Sequence, residues 1–323
     1  MNGRILGRRV RAGLALVVVA AALPAQSPAR CMAVTIDSAT LLHDVFRLAD
    51  DSMRGRRVGT PESAKARDFI AARFDALGLE LVGPGRIQPF AVVSRQSPVR
   101  GYNVTGLIKG TTVPDRYIVV SAHFDHLGVA GSGECRAVGA DSICNGADDN
   151  ASGMAGLLAL ARYFADAKPE HSLLFVAFDA EESGDVGSAA WVTNPPVPLS
   201  SMLIDINMDM VGRNVHNQLF AAGPTRYPAL RPLVAQTIAC SRITLTIGHD
   251  GPDATGDDWT DQSDQGAFNA RGIPFVYFGE EDHPDYHRAT DSADRLMPGF
   301  FVAAVRSVAD FVRRLDRQPT QRE

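Results

Sequence analysis

Residues 172–184 read SLLFVAFDAEESG, an apolar run from Leu173 to Phe178 that ends abruptly in Asp179, Glu181 and Glu182. An apolar stretch of that length without alternation is a strand covered on both faces, as happens when helices flank a parallel sheet. Tyr117 to Ser121, Met202 to Met208 and Pro274 to Phe278 read the same way. Between and around them lie segments with apolar residues at helical spacing: Ala64 to Leu77, stopped by Gly78; Ser152 to Ala167, with Met154, Leu157, Leu158, Ala161 and Phe164; Tyr227 to Ala239; and Phe300 to Leu315. Strands alternating with helices predict an α/β fold, a three-layer α/β/α arrangement around a mixed, mostly parallel central sheet. No internal repeat, heptad pattern or composition break marks a second unit, so residues 39–316 are expected to form one domain.

The two ends of the chain read differently. Arg4, Arg8, Arg9 and Arg11 precede an apolar run from Leu14 to Leu23 and then Pro24 and Ala25. That is the pattern of a signal peptide over residues 1–25, and the run is too short to span a bilayer. Its removal takes four arginines and no acid from a chain of net charge −5, leaving −9. So acidic a chain offers no electrostatic footprint for nucleic acid, and no basic helix points to a membrane beyond export. Residues 317–323 are polar and are expected to form a flexible tail. A secreted or periplasmic monomer is the expectation. In such a compartment disulfides persist. Cys135 and Cys144 bracket a short loop and are the preferred pair, whereas Cys31 and Cys240 could pair or stay free. The C-x2-C spacing of structural zinc sites is absent.

Five polar clusters follow or interrupt these elements. Ligands of open α/β sheets bind beyond the carboxyl ends of strands, so such clusters can converge there. SAHFDH (121–126) offers a neutral imidazole for a metal, with a carboxylate two residues on to fix its tautomer. NGADDNASG (145–153) puts two acids at a helix start, where N-capping would also explain them. FDAEESG (178–184) holds adjacent glutamates whose side chains diverge, which suits a metal ligand beside a base. NMDMVG (207–212) sets Asp209 among apolar neighbours, where an unpaired carboxylate is costly. HPDYHRATD (283–291) adds two histidines, a tyrosine and two carboxylates. Each alone has an ordinary structural explanation. Together they supply mixed nitrogen and oxygen donors for two adjacent metal sites, and that chemistry favours zinc.

This ordered set of motifs resembles the secreted di-zinc aminopeptidases of bacteria over residues 53 to 315, including an early GRRVGT segment (55–60). The resemblance implies two zinc ions. Asp149 would bridge them, with His123 and Asp209 completing one site and Glu182 and His287 the other. Glu181 would be the general base, Tyr286 an oxyanion donor, Asp125 the partner of His123, and Asp291 an orienting group for His287. His126, Asp148 and His283 match no ligand position and read as shell or surface residues. The acids Asp257, Asp258, Asp261 and Asp264 read as a solvated loop. Gln265 stands where the family often has histidine.

The expected function is therefore zinc-dependent release of amino-terminal residues from peptides with a free amino terminus. The alternatives are another amide hydrolase on the same scaffold, such as a carboxypeptidase, dipeptidase or deacylase, or a non-catalytic binding protein. Glutaminyl cyclase shares the scaffold but works with one zinc, and the full five-ligand set argues for two.

Overall fold

The computed structural model describes residues 31, 33–93, 98–131, 134–251 and 257–318. Residues 1–30, where a signal peptide is expected, residues after 318 and four internal stretches lie outside the described residues.

Among the described residues ten strands are present: β1 (Ile87–Val92), β2 (Val99–Ile108), β3 (Val113–His123), β4 (Gly128–Val129), β5 (Ile143–Cys144), β6 (His171–Phe178), β7 (Met202–Met208), β8 (Gln218–Ala222), β9 (Thr244–Ile247) and β10 (Phe275–Gly279). Seven α-helices accompany them: α1 (Ser38–Leu48), α2 (Pro61–Ala76), α3 (Gly153–Ala167), α4 (Val186–Thr193), α5 (Arg231–Ile238), α6 (Gln265–Asn269) and α7 (Pro298–Asp316). Eight strands form one sheet in the order β1-β2-β6-β3-β7-β10-β8-β9, and β4 and β5 form a small separate ribbon. The centre of the sheet, β6-β3-β7-β10, is parallel, as is the β8-β9 pair. The antiparallel pairings are β1-β2, β2-β6 and β8-β10. The sheet is thus mixed, with a parallel core.

Layering follows from the strand period of two. In β6, Leu173, Phe175 and Ala177 face one core together with residues of α1, α2, α3, α5 and α7. Leu174, Val176 and Phe178 face a second core with Trp191 of α4 and Phe268 of α6. All eight residues of β6 are buried, which is why its sequence shows no alternation. Helix α2 begins where Thr60 caps it and Pro61 occupies its first turn.

Two readings need correction. The helix expected over Tyr227 to Ala239 is a short 3-10 turn at Pro228–Leu230 followed by α5, because Pro228 and Pro232 fall in the first turns, where a missing N–H is tolerated. Strands β1, β2, β4, β5, β8 and β9 and helices α1, α4 and α6 are not read from the sequence. Cys135–Cys144 and Cys31–Cys240 are both disulfide-bonded, the second joining positions 209 residues apart. Among the described residues no helix is long and apolar enough to cross a membrane.

Candidate metal centre

The four central parallel strands deliver the polar clusters to one place. His123 is the last residue of β3, Asp209 follows β7 directly, Glu181 and Glu182 stand in the turn after β6, and Glu280 follows β10. Asp149 comes from the irregular turn that leads into α3. That turn is held closely: Asn150 Nδ2 donates to Met208 O at 2.9 Å, and Gly153 N donates to Asn150 Oδ1 at 2.8 Å. A Cβ at Gly153 would lie 2.4 Å from Met208 O, so only glycine lets α3 start this close to the end of β7. Left-handed backbone at Ala180, Met210 and His287 aims the neighbouring carboxylates and this imidazole inward.

The side chains form two donor groups that share one carboxylate. Asp149 Oδ1 lies 3.5 Å from His123 Nε2, which is also 3.3 Å from Asp209 Oδ1. Asp149 Oδ2 lies 3.4 Å from His287 Nε2, itself 3.4 Å from Glu182 Oε2. Ligand bonds of about 2.0–2.2 Å in a tetrahedron put neighbouring donors about 3.3–3.5 Å apart. These separations match that spacing, so each group fits a zinc ion. Glu181 Oε2 stands 3.9 Å from His123 Nε2, on the side of the first group.

Electrostatics make the same point. Burial pushes Glu181 well above the usual carboxylate range, with Glu182 and Asp209 adding to the rise while His123 opposes it. Burial raises Glu182 to about 7 and also raises Asp149, which Glu182 pushes further. For His123, burial acts downward, but Asp209 and Glu181 outweigh it and hold the imidazole well above its ordinary value. So many buried acids stay ionised together only beside a countercharge.

The neighbours of these groups are partly those expected. Asp125 O lies 3.2 Å from His123 Nδ1, and Asp125 Oδ1 accepts from Glu181 N at 3.0 Å, so Asp125 braces both a candidate ligand and the glutamate turn. Tyr286 stacks on His287 with ring centroids 3.8 Å apart and lines the adjoining pocket. Asp291 does not orient His287. It accepts from Asp148 N and Asp149 N at 3.0 and 3.1 Å and so fixes the loop of the shared carboxylate. The group beside His287 Nδ1 is Glu134, at 3.3 Å.

His126 is the main residue missed. It is fully buried, with Nδ1 2.5 Å from Glu182 Oε1 and 3.6 Å from Asp149 Oδ2, so it stands inside the second donor group. Burial, with Arg56 and the other two histidines, lowers it to about 3, which keeps the ring neutral and able to donate a lone pair. The signal was its place in SAHFDH, directly after Asp125. Asp148, which is buried, and His283, half-buried, are neighbours 3.3 Å apart. Arg56 was also missed. Its buried guanidinium donates to the carbonyls of Phe124 (2.5 Å), Gly146 (2.7 Å), Leu48 (3.2 Å) and Asn145, tying the His123 loop to the Asp149 loop.

The acidic run of the following loop is not uniformly solvated. Asp258 caps Thr260 N and Asp261 accepts from Asn269, both exposed, whereas Asp264 is buried. Gln265 bridges Asn207 and Trp259 O instead of facing the centre.

A model of peptidase family M28 matches residues 103–312, more than half of the chain. The chain belongs to peptidase family M28. A probable zinc metalloprotease of Pyricularia oryzae is 33% identical over 191 residues, covering 57% of this chain and 35% of that protein. A probable glutamate carboxypeptidase of Zea mays is 30% identical over 247 residues, covering 68% of this chain and 30% of that protein. The chain thus spans about a third of the length of these curated relatives. Among solved structures, a zinc aminopeptidase from Bacillus subtilis superposes with a TM-score of 0.69 at 16% identity, covering 88% of this chain and 96% of that one. The glutaminyl cyclase of Porphyromonas gingivalis gives 0.71 at 20% identity, with 87% and 99% covered. At such identities these likenesses show the fold. The cofactor of the M28 aminopeptidases is a pair of zinc ions, and the two donor groups sharing Asp149 fit it.

Proposed function

We propose that this M28 protein is an aminopeptidase, cleaving the first peptide bond of substrates with a free amino terminus. One observation carries the reading. The pocket of about 360 Å³ beside Asp149 is walled by acidic side chains, with Glu281, Asp282 and Asp257 joining those of the metal centre, and among the described residues no lysine or arginine lines it. A substrate ammonium is the group such a wall favours, and the aromatic rings of Trp259, Tyr277 and Tyr286 leave room for an adjoining side chain.

In this reading His123, Asp209 and Asp149 would hold one zinc ion, and Glu182, His287 and the same Asp149 the other, with His126 beside the second. Bound there, zinc would supply Lewis acidity toward the scissile carbonyl and make the attacking water easier to deprotonate. Glu181 takes the proton from the attacking water and returns it to the departing amine. Tyr286 donates to the developing oxyanion. Asp125 keeps His123 in position. The two disulfides suit an oxidising compartment, and secretion or periplasmic export is the localisation proposed.

The test is product mass spectrometry on the zinc-loaded protein with matched peptides bearing free or acetylated amino termini, plus a chelated control. Stepwise loss from free amino termini alone, abolished by chelation, is the expected result. Cleavage of the acetylated peptides at equal rate would replace this reading with that of another amide hydrolase.

A further inference from the structure

Glu182 also lines a second, larger concavity of about 910 Å³, whose other lining residues differ from those of the acidic pocket. It shares Glu182, Asp125 and His126 with the metal centre, so it is continuous with the place of bond cleavage. Its outer wall combines the valines Val58, Val92, Val93 and Val99 with two arginines, Arg54 and Arg57. The acids on this wall are all engaged: Glu62 with Lys65 at 3.7 Å, Glu134 with His287 at 3.3 Å, and Asp125 and Glu182 in the centre itself. Among the described residues neither Arg54 nor Arg57 has an ion pair or a side-chain hydrogen bond.

The arginines are held where they are by the backbone. Arg54, Gly55 and Arg56 are three successive residues with positive φ (42°, 66° and 37°), a costly sequence for two bulky side chains. Gly55 makes it possible by nesting against other chain segments: a Cβ there would lie 2.3 Å from Cys144 O and 2.6 Å from Gly128 O. Arg56 turns inward to the carbonyls of the metal loops, while Arg54 and Arg57 line the groove. Gly128, also left-handed, leaves the space across which the stem of Arg57 lies: a Cβ at Gly128 would sit 3.0 Å from Arg57 Cβ.

We infer that this groove is the binding site for the part of the peptide beyond the cleaved bond, and that Arg54 and Arg57 recognise a carboxylate on it. The inference rests on the aminopeptidase reading and deepens it. An acidic pocket and a valine-lined groove carrying two unpaired arginines thus meet at Glu182. That polarity matches a short peptide, with its ammonium in the pocket and its terminal carboxylate on the guanidinium groups, which pair with carboxylates in a bidentate fork. The same chemistry would also accept an acidic side chain immediately after the cleaved bond.

The experiment compares kcat/KM for a dipeptide, its carboxamide, and a dipeptide amide with glutamate in second position, using the zinc-loaded protein. An aminoacyl 4-nitroanilide of the same first residue, which carries no carboxylate, reports on the aminopeptidase reading separately. The free dipeptide is expected to exceed its carboxamide by about tenfold, the effect of one charge-assisted contact. In Arg54→Ala/Arg57→Ala that ratio is expected to fall to about one, with zinc content and thermal unfolding confirming the fold, and Arg57→Lys restores part of it. Glutamate rescuing the carboxamide would identify a side-chain carboxylate as the ligand. Equal rates for acid and amide in the wild-type protein, or a ratio that survives the double substitution, would overturn the inference while leaving nitroanilide turnover, and hence the aminopeptidase reading, intact. Absence of nitroanilide turnover would instead remove that reading.

Discussion

Glu181 and Glu182 are chemically identical neighbours that the structure places against different partners. Left-handed backbone at Ala180 and the hydrogen bond from Glu181 N to Asp125 leave Glu182 against His287 and His126, while Glu181 stands on the other side, beside His123 and Asp209. Replacing Glu181 with glutamine keeps size and removes basicity. Zinc content measured by mass spectrometry is expected to stay at two equivalents while kcat falls about 10²–10⁴-fold, the usual contribution of a general base. Retained turnover would take Glu181 out of the mechanism. Arg56 tests a different kind of residue. Arg56→Lys keeps the charge but cannot span the carbonyls of Phe124, Asn145 and Gly146 with one ammonium. Buried carbonyls left without a donor cost about 1–3 kcal/mol each. The variant is expected to unfold at lower denaturant and to release zinc to a weaker chelator than the wild-type protein does.

At the scale of elements, the site depends on turns more than on the strands that present them. Asp291, from the segment before α7, holds Asp148 N and Asp149 N, and the Cys135–Cys144 bridge closes the loop that enters the Asn145–Asp149 turn. The Cys31–Cys240 bridge joins the chain ahead of α1 to the end of α5, far along the sequence from any candidate ligand. Loop-closure entropy assigns about 3 kcal/mol to the short bridge and about 5 kcal/mol to the long one. Paired serine substitutions should therefore separate stability from function. Loss of Cys31–Cys240 is expected to lower the unfolding midpoint more, whereas loss of Cys135–Cys144 is expected to cost more activity at 25 °C. Equal activity losses would show that the short bridge does not position the turn.

For the whole molecule, zinc and protons act as alternative countercharges for one buried acidic centre. Ligands that bind only the folded state stabilise it by mass action, about 4 kcal/mol at a thousand times Kd. Chelation is expected to lower the Tm by roughly 10 °C and readdition of zinc to restore it. In the chelated protein Glu182 keeps its proton up to about pH 7, above its ordinary value near 4.5. The folded state then binds more protons than the unfolded one between those values, so stability falls as pH rises through that window. Thermal scans from pH 4.5 to 7.5 should show this slope without zinc and a flatter profile with it.

The residue types of the centre and the parallel core of the sheet were legible in the chain itself. His123, Glu181, Glu182 and Asp209 stand where a buried strand stops and apolar sequence gives way to polar groups, whereas Asp149, ahead of α3, and His287, beyond β10, were legible only from their place in the set of motifs. Contacts between segments far apart in the chain were decided only by the tertiary structure. It set which oxygen of Asp149 faces which imidazole, brought His126 up to Glu182, gave Asp291 to the backbone of the Asp149 loop, paired Cys31 with Cys240, and turned Arg56 inward while Arg54 and Arg57 line the groove. The edge strands were equally silent, since half-exposed strands such as β1 lack the unbroken apolar run. Burial by one's own neighbours leaves a mark in sequence, whereas a partner supplied by packing across the fold leaves none.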